Sequence, residues 1–136
     1  MRTSMIVLIV VGWGLLSSCE DNTEEFNPIE LNGTYQGTFT VDYLASGDSY
    51  SNPVTLTFTG NSYSSTEGAD RFPAGGSGLF ETGANSVTFT DENFWTADFD
   101  WNLILSDEYS VTETDTRIIL SATKNNIGTY TYELIK

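Results

Sequence analysis

Gly33-Thr34-Tyr35-Gln36-Gly37-Thr38-Phe39-Thr40-Val41-Asp42-Tyr43 is the stretch that decides the fold. Tyr35, Gly37, Phe39, Val41 and Tyr43 fall on one side, and Thr34, Gln36, Thr38, Thr40 and Asp42 fall on the other. A strand sends successive side chains to opposite faces, so this run reads as a strand with one buried and one wet face. That habit belongs to antiparallel sheets.

The same alternation extends outward along the chain. Val54, Leu56 and Phe58 alternate with threonines, as do Val87 and Phe89. Trp95, Ala97, Phe99, Trp101, Leu103 and Leu105 share one parity against Thr96, Asp98, Asp100 and Asn102, which predicts the longest strand of the chain. Tyr109 and Val111 follow, then Ile118, Leu120 and Ala122, and finally Tyr130, Tyr132 and Leu134. Segments 62–67 and 76–82 carry weaker versions of the pattern. No stretch beyond Gly33 shows the 3.6-residue period of a helix.

Turn residues punctuate these runs: Gly60-Asn61, Gly83-Ala84-Asn85, Thr114-Asp115 and Lys124-Asn125-Asn126. Such short links join strands that are neighbours in space. The expectation is an all-β antiparallel up-and-down meander of about eight strands, closed as a barrel, with a β-sandwich as the alternative. Closure is preferred because it removes sheet edges. The irregular stretch from Glu67 to Ser77 is expected to lie over one mouth.

The N-terminus has a different grammar. Arg2 precedes an apolar run from Met5 to Leu16, too short to span a hydrocarbon core and suited to an export signal. Small residues Ser17 and Ser18 then precede Cys19, the only cysteine. Leu16-Ser17-Ser18-Cys19 resembles the lipobox of bacterial lipoproteins. That resemblance implies a signal over residues 1–18, its removal, and a lipid on Cys19. One acyl chain anchors only marginally and two anchor stably. Residues 19–32 then form an acidic tether, opened by Glu20-Asp21-Asn22-Thr23-Glu24-Glu25, and residues 33–136 form the domain. An acidic run directly after the cysteine is similar to the surface-export signal of Bacteroidota lipoproteins. It implies an outer-membrane location facing the cell exterior, with the periplasmic face as the alternative.

The domain also carries a resemblance. Gly33-Thr34-Tyr35 resembles the Gly-x-Trp that opens the first strand of lipocalins, with Tyr35 in place of the Trp. The Gly60-Asn61 turn, Gly76-Ser77-Gly78 and the closing Tyr130 to Leu134 are similar to features of small lipocalin-like domains on Bacteroidota lipoproteins. The likeness implies a barrel that holds a small ligand, its cavity bordered by Tyr35, Phe39, Trp95, Phe99, Trp101, Tyr130 and Tyr132.

Composition narrows the chemistry. The chain has 5 basic and 19 acidic residues; with Arg2 removed, 4 against 19 leaves a net charge of −15. Such a surface repels phosphate backbones and anionic lipid, which excludes nucleic acid and makes a lipid the expected membrane attachment. There is no histidine, so histidine-based triads are impossible and zinc is not expected. Asp91, Glu92, Asp98, Asp100, Asp107 and Glu108 lack the spacing of a known calcium loop and read as a solvated face, with Asp98 and Asp100 together on it. Nothing sets two of them across a cleft as an acid–base pair. Arg117 is expected to meet a cross-strand carboxylate. The sequence therefore predicts a non-enzymatic lipoprotein without cofactor, metal or catalytic residues. Its role would be to bind a small apolar or saccharide-like molecule or a partner protein, or else to serve as an accessory subunit of an outer-membrane complex.

Overall fold

A computed structural model describes residues 27–96 and 98–136. The signal, Leu16, Ser17, Ser18, Cys19 and the acidic run 20–25 lie outside the described residues. Eight antiparallel strands run in sequence order: β1 (Gly33–Tyr43), β2 (Ser49–Thr59), β3 (Ser62–Ser65), β4 (Gly76–Thr82), β5 (Ser86–Asp91), β6 (Asp107–Glu113), β7 (Arg117–Lys124) and β8 (Gly128–Ile135). Each pairs with the next, and β8 returns to β1, so the sheet is a closed up-and-down barrel. The weakly patterned segments are real strands, β3 and β4.

Alternation dictates what fills the barrel. Phe39 and Val41 of β1, Leu56 and Phe58 of β2, Val87 and Phe89 of β5, Leu120 of β7, and Tyr130, Tyr132 and Leu134 of β8 are at most 3% exposed. Eight strands enclose just enough space for side chains. Rings meet across it: Phe39 lies 4.9 Å from Tyr132, Tyr132 5.8 Å from Tyr109, Tyr109 5.8 Å from Phe89, and Phe89 4.7 Å from Tyr63. This unbroken chain of aromatic contacts fills the barrel with its own side chains.

The outer face is polar and cross-linked. Thr40 meets Ser51 at 2.7 Å, and Thr123 meets Thr129 at 3.0 Å. Arg117 meets Glu133 on the neighbouring strand, as the sequence predicted.

Small residues make the curvature feasible. Gly37 and Gly78 occupy inward positions where a Cβ would fall on the backbone carbonyl oxygens of Glu133 and Thr90. Asn125 and Asn126 turn the chain between β7 and β8 with φ of 52° and 54°, a region asparagine tolerates well.

The up-and-down order assigns every connection to one of two ends. Turns 60–61, 83–85 and 114–116 close one end, where residues 27–32 also enter and Leu31 is buried at 5% exposure. Connections 44–48, 66–75, 92–106 and 125–127 gather at the other, the loop end.

One prediction fails. Residues 95–96 and 98–105 are not a strand; they belong to the connection between β5 and β6, with a 3₁₀ turn at Trp101–Leu103, and Ala97, expected on the same face, lies outside the described residues. Aspartates are the cause, because their side chains capture backbone donors that a ladder would need. The Asp91 carboxylate takes the N–H of Asn93 where β5 ends, and the Asp100 carboxylate takes the N–H of Asn102. The segment then buries three consecutive residues, Leu103, Ile104 and Leu105, which no strand parity allows. They pack against the 66–75 loop: Ala74 N–H donates to Leu103 O, and Leu105 N–H to Gly75 O. That loop does lie at a mouth, as expected, but beside a second cover.

Candidate functional site

The expected cavity residues separate into two groups. Phe39, Tyr130 and Tyr132 are wholly buried in the packed interior, and Tyr35 lies half-buried against Phe58, 5.8 Å between ring centroids. Trp95, Phe99 and Trp101 stand together on the 92–106 loop, outside the sheet. Trp95 and Phe99 are partly buried, whereas Trp101 is 55% exposed rather than inside the barrel. Parity alone points Trp101 inward, but parity holds only along a strand, and here the chain turns.

Between that loop and β5 runs an open groove of about 550 Å³. Trp95 and Trp101 border it, with Thr88 and Thr90 of β5, Asp91 and Asp107. Small-molecule sites have volumes of roughly 300–1,000 Å³. The sequence predicted the aromatic residues but not this groove, because the groove exists only once 92–106 leaves the sheet.

The groove is built on two aspartates. Asp91 accepts from the indole Nε1 of Trp95 at 2.6 Å, from Ser77 N–H at 3.0 Å and from the Asn93 amide at 2.7 Å. Asp100 was expected to point outward beside Asp98. Instead its carboxylate accepts from the Tyr130 hydroxyl at 2.6 Å and the Tyr43 hydroxyl at 3.1 Å, while Asp98 is exposed. Partial burial, and then the adjacent Asp100 charge, push the Tyr43 phenol above its ordinary range.

Lys124 is the residue that sequence reading missed. Lys124-Asn125-Asn126 reads as a turn, yet Lys124 ends β7 with 7% of its surface exposed. Its ammonium donates to the carbonyls of Asn102, Ile104 and Ser106 at 3.3, 3.2 and 2.8 Å. The same nitrogen lies 4.8 Å from the centre of the Tyr109 ring and 3.9 Å from the Asp107 carboxylate. Burial lowers its pKa to about 8, partly opposed by Asp107 and Asp100. Lys124 thus fastens the groove-forming loop to the barrel. Its signal was readable: it shares the inward parity of Ile118, Leu120 and Ala122.

These contacts reverse the stability order that an inward Trp101 implies. Asp100→Ala strips acceptors from two tyrosine hydroxyls and a backbone N–H, and is expected to cost about 2–3 kcal/mol. Trp101→Ala removes a half-exposed ring and is expected to cost about 1 kcal/mol, against 3–5 for a fully buried aromatic. Denaturant melts of both variants check the ordering.

Among the described residues, no group of three His, Cys, Asp or Glu side chains is gathered closely enough to hold a metal ion. No family model, curated protein or solved structure matches the chain.

Proposed function

We propose that this protein is a non-catalytic, lipid-anchored lipoprotein of the outer membrane that faces the cell exterior and binds its ligand at the loop end of the barrel. The supporting observation is polar placement. Residues 27–32 enter at the end closed by tight turns, and the groove opens at the opposite end, against loop 92–106. A chain tethered through Cys19 would carry the groove away from the lipid. The interior is filled by its own aromatic residues, so a small molecule is better served by the groove than by the barrel.

The anchor is tested first. In a host that processes lipoproteins, the wild type is expected to label with palmitate and partition into detergent, and Cys19→Ala to do neither. Labelling that survives the substitution removes the anchor from the proposal. Protease digestion of intact cells reads the facing: outward display predicts cleavage without lysis.

A second reading, an accessory subunit of an outer-membrane complex, is favoured by one observation. Phe94 is 91% exposed on the loop, and Leu44 and Ile127 are exposed at the same end. Apolar surface of this kind suits a protein partner.

A further inference from the structure

We propose that the groove beside β5 binds a neutral saccharide; the inference rests on the binding role above and names its ligand class. Trp95 and Trp101 are the only indoles beyond residue 13, and both border the groove. Each is held in place by an aspartate. The two Asp91 oxygens take four donors, from Ser77, from the Asn93 backbone and amide, and from the Trp95 indole. Asp100 caps the turn that carries Trp101. Phe99 stands between the indoles, 5.8 Å from Trp95 and 6.3 Å from Trp101, with the Arg71 guanidinium 4.6 Å over its ring. An aromatic surface fixed before a ligand arrives loses little freedom on binding it.

The polar groups in the groove select the ligand. Asp91 has its acceptor capacity filled by the protein, and the Lys124 ammonium is turned to three carbonyls. The exposed hydroxyls of Thr88 and Thr90 and the carboxylate of Asp107, whose side chain is 78% exposed, are left to meet a ligand. A sugar ring offers a C–H face to an indole and a rim of hydroxyls to such groups. The other classes fit less well. An apolar molecule would strip water from the exposed Asp107 carboxylate and from the Thr88 and Thr90 hydroxyls while offering them no hydrogen bond in return. An anionic sugar meets a domain with a large negative charge. An organic cation finds one open carboxylate, already faced by Lys124 at 3.9 Å.

Intrinsic fluorescence reads the site directly, because both indoles belong to it. The membrane-extracted protein in detergent is titrated with neutral gluco-, manno-, galacto- and xylo-oligosaccharides up to about 10 mM, beyond the weak end of measurable binding. The expected result is a saturable shift with at least one series. Trp101→Ala should weaken that binding about tenfold or more, equivalent to 1.4 kcal/mol. Should Trp101→Ala fail to fold, Asp107→Asn carries the same test and is expected to weaken binding several-fold. No saturable response to any series overturns the inference, as does a response that neither substitution alters. A response to a polyamine or a basic peptide alone overturns the saccharide while leaving the binding role intact. Silence toward every probe overturns both.

Discussion

Gly37→Ala is expected to destabilise the barrel by roughly 3 kcal/mol or more, at the upper end for overpacking a core. Gly37 faces inward on β1, opposite Leu134 of β8, at the seam where the sheet closes on itself. A methyl group there would land on the carbonyl oxygen of Glu133, a backbone atom that the β8 ladder holds in place. The two strands must separate, because the methyl would also crowd Glu133 C and Leu134 Cα, which are backbone atoms too. Thr38→Ala, one residue along and facing solvent, should stay within about 0.5 kcal/mol of wild type. Denaturant midpoints compare the two. Against a total stability of about 5–15 kcal/mol, the difference is plain. Equal costs would mean that the seam is looser than its register implies.

The second large effect is at Lys124. Lys124→Ala is expected to cost about 3–5 kcal/mol, because it removes a packed aliphatic stem and leaves three carbonyls without their donor. Lys124→Met keeps the stem and should cost about 1–3 kcal/mol, the part owed to the amine. Both should loosen residues 100–107 before the barrel itself, which hydrogen exchange would register as faster exchange at Leu103, Ile104 and Leu105.

The pH dependence has a definite sign. The folded amine titrates at about 8 and the unfolded one near 10.5, so between those values the unfolded chain holds the extra proton. Stability therefore rises with pH in that window, by at most about 1.4 kcal/mol per pH unit. Tyr43, Tyr63, Tyr109, Tyr130 and Tyr132 work the other way. Burial is the leading cause that holds their phenols above the ordinary value of 10.0. Above pH 10 the unfolded chain loses phenolic protons that the folded chain keeps, and stability falls. Thermal melts from pH 7 to 11 should rise and then drop steeply. Lys124→Met should lose the rise and keep the drop.

Period-two alternation was enough to read the barrel, because one buried and one wet face is what antiparallel strands require of a sequence. Phe39, Tyr130 and Tyr132 were legible as interior on parity alone. The region 92–106 was not, because its apolar residues also alternate. What overrules them is the competition of Asp91 and Asp100 for backbone donors, a local hydrogen-bonding effect that a hydrophobicity pattern does not record. The groove inherits that illegibility. Trp95 and Trp101 were singled out as binding residues, but for a cavity inside the barrel. Lys124 shows the converse: its parity is inward, but its place beside Asn125 and Asn126 reads as a turn, which the three carbonyls of the loop overrule.

The direction of the strands also fixes how the molecule would carry a mechanical load. Residues 27–32 lead into the Gly33 end of β1, while the groove sits at the far end of the barrel. A pull between the two runs along β1 rather than across it. The hydrogen bonds that resist it, from Gly33 to Asp42 against β2 and from Gln36 to Tyr43 against β8, are then loaded together in shear. They cannot be opened one at a time like a zipper. A ligand held under drag would strain every rung on both sides of this strand at once.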